Sequence, residues 1–315
     1  MQNIAKAAAA AAVLVAAGPG WVDEARAQSA TIVVVSHGQA SDPFWSVVKN
    51  GVEQAATDMG VAVDYRAPET FDMVAMSQLI DAAIAQSPDG LVVSIPDSDA
   101  LGDSIEAAAA AGIPVISMNS GADVSAGLGA LLHVGQEEFD AGVAAGKALA
   151  AAGGQKGICV NHEVGNVALD QRCAGFAEGF GGAVEVVPTT MDPTEIGQKV
   201  RAAVEADESI DTVLALGAAT VGEPALATLK ELGLTGDVRL ASFDMSATFL
   251  EGVAAGDAMF AIDQQQYLQG YLPVVFLALH HEYGLMPGGN VPSGPNLVTQ
   301  DKAAQVVDLS AKGIR

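Results

Sequence analysis

The sequence predicts an α/β protein of two lobes, each built on a parallel β-sheet. Three observations predict it. Short β-branched runs such as Ile32-Val33-Val34-Val35 recur, and a continuous apolar run is how a strand buried on both faces reads. A longer Ala-rich amphipathic segment follows each run, as in βαβ units with right-handed crossovers. The alternation then restarts after residue 134, which divides the chain into two similar series.

The elements follow in order. Residues 1–27 read as a secretory signal peptide: Lys6 is basic, Ala7 to Ala17 is apolar and uncharged, and Ala25-Arg26-Ala27 is a small-x-small cleavage pattern before Gln28. The apolar run is shorter than the roughly 20 residues a membrane span needs. No Cys follows it, so no lipid anchor is expected. The first series has strands at Thr31–Ser36, Val61–Tyr65, Gly90–Ile95 and Pro114–Ser117. Between them lie helices at Phe44–Met59, Met73–Gln86 and Asp99–Ala111. The first of these puts Val47, Val48, Val52, Ala55, Ala56 and Met59 on one stripe. The second series has strands at Gly157–Val160, Val184–Val187, Thr212–Leu216 and Val238–Ser242. Its helices are Glu138–Ala152, Ala168–Phe180, Thr194–Ala206 and Glu223–Leu232. A strand at Met259–Asp263, a helix at Leu268–Tyr283, a Pro/Gly-rich stretch, a strand at Leu297–Thr299 and a short helix complete the chain.

Composition excludes several functions. With 50% hydrophobic and 17% charged residues the 315-residue chain is not disordered. Its 38 acidic and 14 basic residues give a net charge of −24, which repels nucleic acid and anionic lipid. The loop after the first strand lacks GxGxxG, and no GxxxxGK[ST] occurs, so no nucleotide cofactor is expected. The two cysteines, Cys159 and Cys173, read equally as a disulfide or as two small buried hydrophobes, and no zinc spacing surrounds them. A metal is not expected. Catalysis is not expected either, because GxSxG and HExxH are absent and no eightfold βα repeat is present. Asp42 and Asp244 as a glycosidase pair is the weaker alternative.

Ligands of open α/β sheets bind at the C-terminal ends of strands. After the first strand comes Asp42-Pro43-Phe44-Trp45, a carboxylate beside two aromatic faces. Capping of the helix accounts for Asp42 by itself. The pair of aromatics also suits a sugar, whose C–H faces stack on rings while its hydroxyls donate to the carboxylate. Asn119 follows the fourth strand, and Phe243-Asp244 repeat the aromatic–carboxylate pairing. Arg172 sits in the first turns of a helix, where the dipole disfavours a cation, so it needs a partner or a task.

These motifs occur in one order that resembles the sugar-binding proteins of ABC importers, in the ribose/galactose-binding class of type I periplasmic binding proteins. The resemblance covers nearly the whole chain beyond the signal peptide. It implies two Rossmann-like lobes joined by three hinge crossings, near Leu132–Val134, Ile262–Gln264 and Val291–Ser293. The N-terminal lobe is then 28–132 plus 264–291, and the C-terminal lobe 133–263 plus 292–315. The ligand-binding set it implies is Asp42, Phe44, Trp45, Asn119, Asn166, Arg172, Phe243, Asp244 and Gln264; Ser36, His37 and Glu163 join the candidates as further polar residues of the strand-end loops. Ser120 stands where the ribose-type pattern has Arg, and Gly217-Ala218-Ala219 where it has Asn-Asp, which argues against simple ribose specificity. His37, His162, Glu163 and Asp170 are candidates to supply the missing polar contacts. The implied ligand is a neutral monosaccharide or polyol, delivered by a monomeric periplasmic carrier to a permease and its ATPase. A sensor feeding a chemoreceptor or a histidine kinase is the alternative. A repressor of the same fold needs a helix-turn-helix where the signal peptide stands.

Overall fold

The structure is a computed structural model that describes residues 29–38 and 42–315. The expected signal peptide, 1–27, lies outside the described residues. Two six-stranded sheets form the architecture. The first contains β1 (Thr31–Val35), β2 (Ala62–Arg66), β3 (Gly90–Val93), β4 (Val115–Asn119), β5 (Leu132–Gly135) and β11 (Val291–Pro292), in the order β11-β5-β4-β3-β1-β2, all parallel. The second contains β6 (Lys156–Asn161), β7 (Ala183–Pro188), β8 (Thr212–Ala215), β9 (Arg239–Phe243), β10 (Phe260–Asp263) and β12 (Asn296–Thr299), in the order β12-β10-β9-β8-β6-β7. Only β12 runs antiparallel to its neighbour there.

Helices cover both faces of each sheet. The first sheet packs α1 (Pro43–Met59) and α9 (Gln266–Tyr283) on one face, and α2 (Met73–Ile84) and α3 (Ser98–Ala110) on the other. The second packs α4 (Glu138–Ala151) and α5 (Val167–Phe180) on one face. Its other face carries α6 (Pro193–Ala206), α7 (Glu223–Leu232), α8 (Ala247–Ala255) and α10 (Gln300–Ala311). Burial explains the apolar runs: Ile32 to Val35 and Leu91 to Val93 are fully buried. The edge strand β7 instead has several exposed residues, Val186 among them.

Three elements differ from the sequence expectation. Leu132–Gly135 is a strand of the first sheet, where only a crossing was expected. Val291–Pro292 adds a two-residue strand inside the Pro/Gly-rich stretch, and α8 fills a segment left without an element. The chain passes between sheets three times, between Gly135 and Glu138, Asp263 and Gln266, and Pro292 and Asn296. At the first and third crossings sheet membership therefore changes one to three residues later than the expected boundaries, residues 133–135 and 292 pairing in the first sheet, whereas the second expected boundary, 263/264, falls at the end of β10.

The helices that follow the first two crossings lie against their neighbours backbone to backbone. A Cβ on Gly142 of α4 would stand 2.3 Å from the carbonyl oxygen of Arg172, and one on Gly175 of α5 would stand 2.0 Å from that of Phe139. In the first lobe, a Cβ on Gly51 of α1 would meet the Tyr267 carbonyl oxygen at 2.1 Å. Any side chain at these positions would part the helices.

Candidate ligand-binding cleft

In each sheet the first strand lies between the second and the third, so the loops at its C-terminal end diverge and leave a crevice. The two crevices face each other and form one cavity, with about 520 Å³ of atom-free space, part of it open to solvent. Its walls include His37, Asp42, Phe44, Trp45 and Asn119 from the first lobe, Glu163, Asn166, Arg172 and Asp244 from the second, and Gln264 at the second crossing.

Local chemistry explains each placement. Asp42 caps α1, its Oδ1 accepting from the Phe44 N–H at 2.9 Å. Trp45 is 5% exposed; it packs edge-on to His37 and Phe44, at 4.7 and 5.2 Å between centroids, and leaves Phe44 as the more open ring. Asn166 caps α5: its Oδ1 accepts from the Ala168 N–H at 3.0 Å, which turns Nδ2 toward Glu163 Oε2 at 2.8 Å and His37 Nε2 at 3.4 Å. His37 Nε2 is therefore the acceptor, and its ring proton sits on Nδ1, 2.8 Å from Ser94 Oγ. The Asn166 Nδ2 to His37 Nε2 contact and the Val167 N–H to Pro96 carbonyl bond, 2.9 Å, link the lobes across the mouth of the cleft.

Asn119, Asp244 and Gln265 have left-handed backbone, with φ of 65°, 64° and 53°. Non-glycine residues seldom adopt it, and such positions gather at functional sites. Asp244 Oδ1 accepts from Gln264 Nε2 at 2.5 Å, and Asn119 Nδ2 donates to the side-chain oxygens of Gln264 and Gln269 at 3.3 and 3.2 Å. The crossing and the cleft thus share one hydrogen-bond network.

Arg172 finds its partner in Glu138, a residue absent from the sequence-based set. Its Nε and Nη2 donate to the two carboxylate oxygens at 2.6 and 3.0 Å, and both side chains are buried. The guanidinium also lies 4.4 Å above the ring centroid of Phe243. Burial opposes its charge, but Glu138, Asp244 and Glu163 together raise its pKa.

Burial sets the other ionisations. It lifts Asp42 to about 7 against the Phe44 N–H, with Glu163 adding repulsion. It lifts Asp244 to about 7 against the opposing pull of Arg172. Glu163 is raised for the same reason. His37 and His162 fall to about 3, through burial and then the Arg172 charge, so both rings are neutral at neutral pH.

Two expected residues stand elsewhere. Ser36, the residue after β1, is fully buried with its hydroxyl 2.8 Å from the Tyr65 hydroxyl, and it is not among the residues that line the cavity. Phe243 is fully buried and serves as the floor under Arg172, while the next residue, Asp244, faces the cavity. Asp170 is exposed and accepts from Asn161 Nδ2 at 2.9 Å. Cys159 and Cys173 are joined by a disulfide, which ties β6 to α5. The cavity also takes His162, Leu169, Leu216, Met245 and the small-residue turn Gly217-Ala218-Ala219 as walls. Gly217 makes room for the His162 ring, whose Cε1 would stand 3.2 Å from a Cβ there. Among the described residues, no group of three or more His, Cys, Asp or Glu is placed to hold a metal ion, and no helix is long and apolar enough to cross a membrane.

This architecture has close relatives. A carbohydrate transporter protein from Acidothermus cellulolyticus, solved with myo-inositol, is 33% identical, with a TM-score of 0.86 over 91% of this chain and 100% of that one. A solute-binding protein of an ABC transporter from Burkholderia graminis, solved with D-arabinose, shares the fold at 22% identity and a TM-score of 0.77, over 87% of this chain and 96% of that one. The xylose/arabinose-binding protein XylF of Sulfolobus acidocaldarius is 23% identical over 269 residues, 79% of this chain; the match spans only 65% of that relative's length. The periplasmic binding protein domain matches residues 32–282, and the chain belongs to that family.

Proposed function

We propose that this chain is the solute-binding component of an ABC importer, which captures a neutral monosaccharide or polyol between its lobes and hands it to a membrane permease with its ATPase. The observation that carries this reading is the composition of the cavity wall. Asp42, Asn119, Glu163, Asn166, Arg172, Asp244 and Gln264 surround one cavity with acceptors and paired donors, beside the Phe44 ring. Such a wall hydrogen-bonds hydroxyls from several directions and stacks a C–H face. A hydrogen bond to a charged group in a dry cleft contributes roughly 1.5–3 kcal/mol, and several of them suffice for micromolar binding. The solved relative with myo-inositol and the relative with D-arabinose support the ligand class.

The mechanism is closure. The ligand meets one lobe, and rotation about the three crossings brings the other onto it. His37 of the first lobe and Asn166 of the second then meet across the mouth. The lobes are 28–132 plus 264–291 and 133–263 plus 292–315, with the changeover at the strand ends described above. The protein acts as a periplasmic monomer, exported by residues 1–27. A thermal-shift screen of aldoses, cyclitols, linear polyols and amino acids tests the function. A ligand at a hundredfold excess over Kd adds about 2.7 kcal/mol, a rise of roughly 4 °C for a chain of this size. A rise with amino acids and with no sugar or polyol would overturn the reading.

A further inference from the structure

The Arg172–Glu138 pair is more than a satisfied charge, because of what it leaves free. A guanidinium has five N–H donors. Nε and one N–H of Nη2 are taken by Glu138, at 2.6 and 3.0 Å, and one N–H of Nη1 faces the Leu216 carbonyl oxygen at 3.4 Å. One N–H on Nη1 and one on Nη2 remain for a ligand. Phe243 covers one face of the group at 4.4 Å.

Glu138 is itself held firmly. It opens α4 just past the first crossing, its Oε2 also accepts from Gln136 Nε2 at 2.9 Å, and it is 4% exposed. The close α4–α5 contact at Gly142 and Gly175 gives the two side chains little freedom to separate. The cavity that Arg172 faces also holds Asp42, Glu163 and Asp244. Arg172 is paired with Glu138 at hydrogen-bond distance, and what its charge does beyond that is set against the carboxyl groups of Asp244 and Glu163, so the wall has no positive charge in excess.

We propose that Glu138 is a positioning and specificity-determining residue: it neutralises Arg172 and fixes its remaining two-donor edge, so that the cleft accepts vicinal hydroxyls and rejects carboxylated sugars. Two adjacent hydroxyl oxygens accept from such an edge without bringing charge. A sugar carboxylate adds an anion to a cavity that has no unpaired cation to receive it. This rests on the neutral-sugar reading above.

The test compares each neutral aldose bound by the full chain with its uronate, the same sugar with its terminal carbon as a carboxylate (C6 of a hexose, C5 of a pentose), by calorimetric titration. The wild type binds the neutral sugar at least a hundredfold more tightly than the uronate. In Glu138→Gln the neutral affinity falls about tenfold while the uronate gains at least tenfold. Glu138→Asp keeps the charge but draws it back; it weakens the neutral sugar and still excludes the uronate. A Glu138→Gln protein that loses both ligands in equal proportion, with an unchanged circular dichroism spectrum, overturns the proposal, because a merely structural residue would do that. Should Glu138→Gln not fold, Glu138→Asp decides: wild-type affinity for the neutral sugar, or gained uronate binding, overturns it. A wild type that binds the uronate as tightly as the neutral sugar does so as well. A wild type that binds no sugar or polyol at all sinks the parent reading, and that outcome is visible before any variant is made.

Discussion

Asp244→Asn should make the ligand-free protein more stable at neutral and alkaline pH while destroying its ligand response. Asp244 is 8% exposed, and its carboxyl is lifted from 3.8 to about 7, chiefly by burial. The folded chain therefore holds this proton more tightly than the unfolded chain does. Its contribution to stability is full below 3.8, declines as pH rises from there to about 7, and stays lost above. At about 1.36 kcal/mol per pH unit, the gap is worth about 4 kcal/mol as a ceiling. Asn has the same shape, tolerates the left-handed φ of 64° and keeps the oxygen that accepts from Gln264. Asp42 also loses a repelling neighbour. The assay is thermal unfolding without ligand at steps from pH 4.5 to 8. The wild-type Tm should fall toward pH 8 more steeply than that of Asp244→Asn, the two curves parting by up to roughly 6 °C at the alkaline end. Parallel curves would refute the reasoning, since they would mean that the buried carboxyl costs nothing to ionise.

Three further outcomes follow from the packing. Gly175→Ala puts a methyl 2.0 Å from the Phe139 carbonyl oxygen and should cost about 2 kcal/mol or more in denaturant titration, whereas Gly288→Ala, with nothing within 4 Å, should stay within about 0.5 kcal/mol of wild type. Replacing both Cys159 and Cys173 by Ala opens a loop spanning 14 positions and should cost about 3 kcal/mol; wild type in a strong reductant should approach the same Tm, and an unchanged Tm in both would discount the cross-link. Phe243→Leu removes the aromatic floor 4.4 Å beneath Arg172 and should cost about 1 kcal/mol of stability, with a several-fold loss of ligand affinity seen by titration; unaltered affinity would mean that Glu138 alone orients the guanidinium.

How far this was legible in the sequence depends on the range of each interaction. The core strands were legible because burial on both faces demands uninterrupted apolar residues, as in Ile32 to Val35. β5 was not, because it is only Leu-His-Val-Gly, and its buried His133 has a strand partner, Ser117 Oγ 2.9 Å from Nδ1, only once the sheet is assembled. Nor was β11, two residues that exist only because β5 offers an edge. In the cleft, Asp42, Asn119 and Asp244 were legible because each follows a strand end, where an α/β sheet presents its ligand groups. Phe243 and Ser36 are fully buried although each is next in sequence to a residue of the cavity wall, Asp244 and His37, and which of two neighbours faces the cleft depends on the backbone turn at the strand end, such as the left-handed φ of 64° at Asp244. Glu138 was out of reach, since its bond to Arg172 spans 34 positions and its place at a helix start has a sufficient local explanation.

The Gly contacts bear on how closure works. Each of the first two crossings leads directly into a helix, α4 in one lobe and α9 in the other. Each of those helices meets, backbone to backbone, the helix whose N-terminus carries ligand groups. α4 meets α5, which bears Asn166 at its cap and Arg172 in its second turn; α9 meets α1, which bears Asp42 at its cap. The contact in the first lobe is mutual, for a Cβ on Gly270 would stand 2.1 Å from the Val48 carbonyl oxygen, as one on Gly51 would from Tyr267. Contacts between backbones have no side-chain rotamers to absorb a displacement. A rotation at a crossing therefore carries Asp42 or Arg172 with it as part of a rigid body. The compliance needed for closure must lie in the crossings themselves, where the left-handed Gln265 and the shared Gln264–Asp244–Asn119 network join the hinge to the cleft. In such a machine a ligand hydroxyl that competes for Asp244 or Asn119 acts on the same hydrogen bonds that hold the second crossing, so binding and closure are one equilibrium.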